Sequence, residues 1–288
     1  MPIINQVVAG GGTTPTGTVT ITNNGTHDVT NYATADVNVP TTAPAHYVEK
    51  TVDANGKLVN GNTIIDLTGV TDVGDYVLYY AYNGNTSISG AVDMSDLTTI
   101  SGNNACYSMF QNCTGLTSVD MSSLTTVGNN SACQGMFYGC TGLTSADLSS
   151  LTTVSGSTAC GSMFSGCTGL TSVNLSALET ANSANACNQM FRNCTGLTSV
   201  DLSSLTALKG NSACGSMFRG CTSLATVYIG GTTAIDFGTI TNQFGNMFYD
   251  CTQNIDVYAP AANQAQIESF SGYPNFGGTG TVTWHWRS

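Results

Sequence analysis

Apolar residues between positions 106 and 221 recur every 27 residues, with no insertion or deletion. In the first copy Cys106, Met109, Phe110 and Cys113 stand at i, i+3, i+4 and i+7, the spacing of one apolar helix face. Strict self-similarity predicts a solenoid, in which each unit buries its apolar face against its neighbours. The predicted core comprises Cys106, Met109, Phe110, Cys113, Met136, Phe137, Met163, Phe164, Met190, Phe191, Met217 and Phe218.

A second apolar pattern, L-x-x-V-x-M/L-x-x-L, follows each Met-Phe pair. In the first copy the alternation of Val119 and Met121 predicts a strand that is buried on one side. Asn104 and its equivalents are residues typical of helix N-caps, and Asn112 and its equivalents tolerate a left-handed backbone. Each unit is therefore predicted to hold a short capped helix and a strand, and the strands stack in parallel about 4.8 Å apart.

The repeated wording C-x-x-M-F-x-x-C-x-x-L-x-x-x-D-L-S resembles the BspA-like subgroup of leucine-rich repeats over roughly residues 63–260. This resemblance implies a curved solenoid used for adhesion or recognition, usually displayed outside the cell. Upstream of the regular copies, Leu78, Ala81 and Tyr82 occupy the Cys, Met and Phe positions of a degenerate first unit. The predicted fold class is α/β: a leucine-rich-repeat solenoid of about seven units, with parallel strands and short helices, behind a small N-terminal β-module.

The chain is predicted to divide into five segments. The last segment should contain a helix from Pro260 to about Phe270 and a closing strand whose tryptophans, Trp284 and Trp286, cover the final repeat. The segments are an attachment peptide and linker (1–16), a small β-module and linker (17–45), a hairpin and N-terminal capping repeat (46–91), the solenoid (92–258) and a C-terminal cap (259–288).

Charge excludes two classes of partner. Charged residues make up 8% of the chain, and six Lys and Arg face 17 Asp and Glu, for a net charge of −11. Nucleic acids and anionic membrane surfaces are therefore not expected partners, because both are bound through basic patches. No apolar run approaches about 18 residues, so no membrane insertion is expected. The N-terminus lacks the basic region of a signal peptide, which favours synthesis and folding in the cytoplasm.

The eleven cysteines are interpreted as buried, reduced thiols. Cys106 and Cys113 are separated by about 10 Å of helical rise, whereas bridged Cα atoms lie within roughly 7 Å of each other. Bridges between successive repeats are the alternative, although an odd total leaves one thiol over. No C-x-x-C pair is present, and the histidines lie outside the array, so neither zinc nor another cofactor is expected.

One column of acidic residues is a candidate binding site. Asp93, Asp120, Asp147, Asn174 and Asp201 should project from the same side of the parallel stack. We interpret the column as a solvated row, because exposed charges interact weakly in water. The alternatives are a ladder that binds Ca²⁺ through its oxygens, or one that binds a basic patch on a partner.

Three further features are candidates for binding. Columns of Ser and Thr flank the acidic column, and they suit polar ligands such as glycans or serve solubility alone. Aromatic rings join this face only near its C-terminal end, at Tyr228 and Tyr258. Variation between repeats concentrates on the predicted helix surface, where Arg192 and Arg219 are adjacent in the stack. That surface is either a recognition patch or simply exposed and unconstrained.

The segment from Thr20 to Val39, T-I-T-x-N-G-T-x-D-V-T-x-Y-A-x-A-D-V-N-V, resembles short segments in tail-associated virion proteins of phages that infect Gram-positive bacteria. This resemblance implies an attachment to virion proteins through the N-terminus. The first hypothesis is a non-enzymatic phage appendage, in a tail or fibre on the virion surface, whose solenoid recognises a host-surface glycan or protein. A homotrimer would suit such an appendage. The alternative is a bacterial cell-surface or matrix repeat protein with an adhesive or structural role.

Sequence motifs of catalysis are missing from the chain. It contains no nucleophile elbow, P-loop, H-E-x-x-H or G-x-G-x-x-G. His27, His46 and His285 lie in three separate segments, whereas acid–base catalysis needs convergent titratable groups. The chain is therefore predicted not to be an enzyme, and a catalytic domain within residues 1–90 is the remaining alternative.

Overall fold

The computed structural model describes residues 71–74, 78–239 and 242–288, and before them only the backbone of three strands. These strands, β1 (Val8–Ala9), β2 (Gly17–Thr22) and β3 (Tyr47–Val52), form an antiparallel sheet in that order. The strand predicted around Val19 and Ile21 is confirmed as β2, and it pairs with β3 across the predicted boundary at residue 45. The predicted turn at Asn24-Gly25 lies outside the described residues, and the boundary stays a prediction.

The remaining described residues form a solenoid built from thirteen short strands. Two of its walls are parallel β-ladders, and each turn of the chain contributes one strand to each ladder. In chain order the strands are β4 (Asp72–Val73), β5 (Ser89–Asp93), β6 (Thr99–Ile100), β7 (Gly115–Asp120), β8 (Thr126–Val127), β9 (Ser145–Asp147), β10 (Thr153–Val154), β11 (Ser172–Asn174), β12 (Thr180–Ala181), β13 (Ser199–Leu202), β14 (Thr226–Ile229), β15 (Ile255–Pro260) and β16 (Val282–Arg287).

The longer ladder, here called the strand wall, contains one strand from each of eight turns. Its first half is the parallel sheet β5-β7-β9-β11, and its second half is the parallel sheet β13-β14-β15-β16. Val119 pairs with Ala146, and Ala146 pairs with Val173, so the register advances by the same 27 residues as the sequence. The predicted solenoid with stacked parallel strands is confirmed. The closing strand β16 adds the eighth rung to the seven units that the sequence predicts.

A second, narrower ladder runs beside the strand wall. It consists of β4, β6, β8, β10 and β12, and single bridges at Ala207 and Asp236 extend it through two more turns. Each of its two-residue strands has one buried residue, for example Val127 or Val154, and one half-buried threonine or aspartate. The narrow ladder therefore closes the core on its second side.

The third side, here called the turn wall, is the segment that the sequence predicts to be a helix, and that prediction is wrong. In the first full repeat the N–H of Cys106 donates to Ala132 of the next repeat, and the N–H of Phe110 donates to Met136. The intervening N–H of Met109 donates to Cys106 within its own repeat. Such alternation is a ladder of turns. The turn wall comprises residues 78–84, 104–113, 131–140, 158–167, 185–194, 212–221 and 242–251.

Backbone dihedrals explain why no helix forms. Asn104, Ser108 and Asn112 all have positive φ, at 51°, 49° and 60°, and a left-handed residue at every fourth position breaks the helical run of dihedrals. Asn104 and its equivalents are therefore not helix N-caps, and Asn112 and its equivalents are not helix C-caps. The prediction that Asn112 tolerates a left-handed backbone is confirmed, but it applies within a ladder.

Stacked aromatic rings form the centre of the core. Neighbouring ring centroids are 5.2 Å apart at the N-terminal end, between Tyr82 and Phe110, and 6.1 Å apart at the C-terminal end, between Phe218 and Phe248. Interplanar angles along the stack do not exceed 11°. The stack consists of Tyr82, Phe110, Phe137, Phe164, Phe191, Phe218 and Phe248. All twelve predicted core residues are buried beside it or within it, and none is exposed by more than 3%.

All eleven cysteines are free thiols and are buried, as predicted. The second cysteine of each repeat donates its S–H to the backbone carbonyl of the aromatic residue one repeat earlier, as Cys140 does to Phe110 at 3.0 Å. The same contact recurs at 3.0–3.1 Å for Cys113, Cys167, Cys194, Cys221 and Cys251. These thiols therefore join consecutive turns of the solenoid.

The C-terminal end is closed largely as predicted. A 3-10 turn, η1 (Ala261–Asn263), leads into the helix α1 (Gln264–Glu268), and Pro260 ends β15 just before them. Trp284 and Trp286 of β16 stack on each other with centroids 5.6 Å apart and pack against the core. The predicted helix and closing strand are thus confirmed, and the helix is shorter than expected.

Met163 offers a direct test of the layered core. Met163→Asp is expected to destabilise the fold by at least about 3 kcal/mol, because it buries an unpaired carboxylate at a fully buried position. Met163→Leu is the matched control, and it should cost less than about 1.5 kcal/mol because the volume is nearly conserved. Thermal melts of the full chain measure both changes. A Met163→Asp melt that matches wild type would contradict the structure.

Thiol titration tests the reduced state of the core. Burial raises the pKa of Cys113 to about 11 and the pKa of Cys167 and Cys187 to about 12, so these thiols are almost entirely protonated at pH 8. A thiolate-specific reagent at pH 8 should therefore label almost no cysteine in the folded protein, and close to eleven in denaturant. A count near one in denaturant would instead indicate disulfides between repeats.

Candidate recognition surface

The acidic column lies on the strand wall, where the sequence predicts it. Asp120 pairs in register with Asp147, and Asp93, Asp120 and Asp201 are exposed. Each carboxylate accepts the backbone N–H of the serine two residues later, an arrangement that ends the strand in a tight turn. The N···O distances are 3.0 Å for Ser95 to Asp93, 2.9 Å for Ser122 to Asp120, 2.9 Å for Ser149 to Asp147 and 2.8 Å for Ser203 to Asp201.

Asn174 explains what this column needs. Its side-chain oxygen accepts the N–H of Ser176 at 3.2 Å, the same bond that the carboxylates make. The shared requirement is thus an oxygen acceptor, which Asn and Asp both supply. Within residues 71–74, 78–239 and 242–288, no group of three or more His, Cys, Asp or Glu could hold a metal ion. The geometry therefore gives the column a structural role and offers no support for Ca²⁺.

Threonine hydroxyls beside the column are also engaged within the solenoid. Thr144 donates its hydroxyl to the carbonyl of Thr117 at 2.9 Å, and Thr171 donates to Thr144 at 3.1 Å. On the other flank Thr125 and Thr152 do the same, each to the threonine 27 residues earlier. These side chains stay exposed or half-buried, but their donor hydrogens already serve the contact between turns.

Near the C-terminal end the acidic column continues as an aromatic ladder. Asp201 pairs in register with Tyr228, Tyr228 with Tyr258, and Tyr258 with His285. The Tyr228 and Tyr258 rings stack with centroids 4.9 Å apart, and the Tyr258 and His285 rings stack at 4.6 Å. The predicted site residue Tyr228 is therefore at one end of a three-ring stack, and sequence analysis did not place His285 in it.

Polar contacts hold both ends of the aromatic ladder. The guanidinium of Arg287 lies 5.5 Å from the Tyr228 ring centroid, and it donates to the carbonyl of Gly230. At the other end His285 Nε2 lies 2.7 Å from Asp256 Oδ1. Because each ring face within the stack is covered by its neighbour, the ladder offers ring edges to a ligand and little free face.

The turn wall carries the two predicted arginines. Arg219 stacks its guanidinium 4.4 Å from the Tyr249 ring centroid and lies 3.5 Å from the carboxylate of Asp250. Arg192 bonds through Nη1 to Gln189 Oε1 at 3.2 Å. The backbone N–H of Asn193 donates to the carbonyl of Arg219, which confirms that the two arginines stand in adjacent turns.

A cluster of three tyrosines at the N-terminal end of the turn wall was missed by the sequence analysis. Tyr79 stacks on Tyr107 with centroids 5.3 Å apart, and Tyr80 packs edge-on against Tyr79 at 4.5 Å. The signal was present in the sequence. Aligning Tyr82 with Phe110 brings Tyr79 beside Tyr107, because both tyrosines come three residues before a stacked core ring.

Comparison with known proteins assigns the repeats to a family. The model of the BspA type leucine rich repeat region matches six copies, over residues 68–160 and 106–272. The chain belongs to this family. The match spans the narrow ladder, most of the strand wall and the whole turn wall of the BspA type repeats described above, and it leaves the three N-terminal strands outside.

Structural comparison adds one similar protein. A crystal structure of a leucine rich cell surface protein from Faecalibacterium prausnitzii A2-165 matches with 15% identity, 83% of this chain, 93% of that chain and a TM-score of 0.20. A TM-score this low carries no argument about function. No curated protein matches the chain. Among the described residues, no helix has the length and apolar character needed to cross a lipid bilayer.

Asp120 tests whether the acidic column serves structure or charge. Asp120→Ala should destabilise the repeat array by about 1 kcal/mol, because Ser122 loses its hydrogen-bond acceptor. Asp120→Asn should be neutral or slightly stabilising, since it keeps the acceptor and removes a charge between Asp93 and Asp147. Denaturation midpoints, with and without added Ca²⁺, measure both. Equal losses in the two variants, or a Ca²⁺-dependent midpoint in wild type, would show that the charge itself is needed.

Proposed function

We propose that this BspA type repeat protein is a non-enzymatic recognition protein displayed at a bacterial cell surface, where the solenoid contacts a glycan or protein partner. The proposal takes the alternative role from the sequence analysis as its first candidate. It rests on family membership, because the BspA-like resemblance implies adhesion or recognition outside the cell. It also rests on how the outward side chains differ among the walls of the solenoid.

The observation that carries the proposal is a contrast between two surfaces. On the strand wall one outward position is Asp or Asn in five consecutive repeats, and that side chain bonds the backbone of its own turn. On the turn wall the position of Gln111 changes from repeat to repeat, as Tyr138, Ser165, Arg192, Arg219 and Tyr249. A surface that varies while its scaffold repeats is suited to contact a specific partner.

Titratable groups in the described part of the chain do not favour catalysis. The cysteine thiols are buried, and desolvation raises the pKa of Cys140 well above its usual range, so a thiolate nucleophile is disfavoured. Lys209 and Asp236 form an exposed ion pair at 2.6 Å, and His285 pairs with Asp256 on another wall. These pairs lie apart on the surface, whereas an active site brings such groups together.

A phage appendage is the other candidate location. It rests on the resemblance of the segment from Thr20 to Val39, and most of that segment lies outside the described residues. Neither the family match nor the similar crystal structure supports a virion role. We therefore place the protein on the cell envelope first, and an attachment to virion proteins and a trimeric arrangement remain hypotheses.

A binding assay with intact cells tests the proposed function. Fluorescently tagged full-length chain should bind at least one of three targets saturably: the producing bacterium, neighbouring bacterial species or epithelial cells. Excess untagged chain should compete, since recognition by a folded surface has a finite number of sites. The Met163→Asp variant, which is expected to unfold, is the control and should not bind. Wild-type protein that binds none of the cells saturably would refute a recognition role.

Immunogold labelling tests the location separately. Antibodies against the solenoid should label the envelope of intact producing cells. Label on phage particles released by lysis, with bare cells beside them, would favour the virion hypothesis instead.

A further inference from the structure

The tyrosine patch, defined as Tyr79, Tyr80 and Tyr107, lies where the turn wall begins. Its three rings touch one another, with centroid separations of 4.5, 5.3 and 5.4 Å. Tyr80 remains 41% exposed, and the other two are half-buried. The hydroxyls of Tyr80 and Tyr107 interact, and burial followed by this neighbour raises the pKa of Tyr107, so its phenol stays protonated. An exposed cluster of this kind usually marks a binding surface.

Tyr80 stands at a position that disfavours a large side chain. Its φ is +52°, and it aligns with the left-handed position of the later repeats. In those repeats the position is filled by small or polar residues, namely Ser108, Gly135, Ser162, Gln189, Ser216 and Asn246. A bulky aromatic residue with positive φ is a backbone outlier, and such strain clusters at functional sites. Since the fold would favour glycine or serine here, the ring is retained for contact with something else.

A pair of side-chain amides lies beside the patch. Asn83 Nδ2 donates to Gln111 Oε1 at 3.0 Å, across the first and second turns. Both residues are half-buried, and each follows Tyr79 or Tyr107 by four residues on the same wall. The bond orients both amides, and it leaves the Gln111 NH₂ group and the Asn83 carbonyl oxygen for a ligand. One donor and one acceptor, held in place, match the hydroxyls of a sugar ring.

We propose that the tyrosine patch, with the Asn83–Gln111 amide pair, binds a neutral polysaccharide. This inference rests on the proposed recognition function and names its ligand class and its wall. Aromatic rings pack against the C–H face of a pyranose, and the oriented amides bond its hydroxyls. The five side chains are uncharged at pH 7, and a net charge of −11 on the chain disfavours acidic polymers.

The other two surface features fit this ligand less well. Rings of the aromatic ladder from Tyr228 to His285 cover each other's faces, so a sugar cannot stack within it. Arg219 already pairs with Asp250 and stacks on Tyr249. The tyrosine patch therefore presents the combination of exposed aromatic surface and oriented amides that the proposal needs.

Tyr80→Gly is the decisive variant, because its effects on folding and on binding point in opposite directions. Glycine adopts a φ of +52° without strain, so the thermal midpoint should stay the same or rise. Loss of the ring should weaken polysaccharide binding at least about tenfold. Tyr249→Ala is the matched control, since Tyr249 is also 41% exposed on the turn wall but lies far from the patch along the stack. It should leave binding unchanged.

Affinity electrophoresis of the full chain through gels that contain a soluble β-glucan, a mannan or carboxylated alginate measures the effect. We expect a neutral polymer to retard wild type and Tyr249→Ala, and Tyr80→Gly to migrate as in an empty gel. Retardation of Tyr80→Gly equal to wild type would overturn the proposal, as would retardation by alginate alone. Wild type that binds cells saturably but is retarded by no neutral polymer would overturn the ligand class and leave the recognition function standing.

Discussion

Every second N–H group of the turn wall donates to a carbonyl of the next repeat, and the rest of the solenoid depends on this lateral bonding. A helix satisfies its backbone within one segment, whereas this wall needs a neighbouring turn to do so. Left-handed residues such as Ser108 are required in each repeat because they interrupt the helical dihedrals. The strict period of 27 residues follows, since one inserted residue would shift a turn out of register with its neighbours on all three walls.

Core composition follows from the same constraint. The carbonyl of Phe110 accepts the N–H of Cys113 in its own repeat at 3.0 Å and the S–H of Cys140 in the next repeat at 3.0 Å. Its ring meanwhile stacks between the rings of the two adjacent turns. A small side chain with a weak donor is needed at Cys140, because a larger one would not fit a fully buried site and alanine would lose the bond. The unusual number of free thiols is therefore explained by contacts between turns.

The period, the parallel strands and the buried residues could be predicted from the sequence, but the conformation of the turn wall could not. Inward residues of this wall recur at Cys106, Met109, Phe110 and Cys113, a spacing that an amphipathic helix shares. Asn and Ser favour both helix caps and left-handed turns, so residue type at Asn104 does not separate the two. The distinguishing signal was Ser108 and its equivalents, a third row of such residues where a helix would have its middle. Of the candidate site residues, the acidic column and Tyr228 lie where predicted, whereas Tyr79 and Tyr80 belong to an irregular first repeat.

The division between a repeated interior and a variable exterior bears on how such a protein acquires a binding surface. Inward residues are constrained by two neighbouring turns at once, so each change there affects three repeats. Outward residues such as Gln111 and Arg192 contact little of the core, and substitutions at such positions usually change stability by less than about 0.5 kcal/mol. Tyr80 departs from this pattern, because a left-handed backbone makes its ring unfavourable for folding. Where every other choice in the wall agrees with the fold, a residue that opposes it indicates a demand from outside the fold.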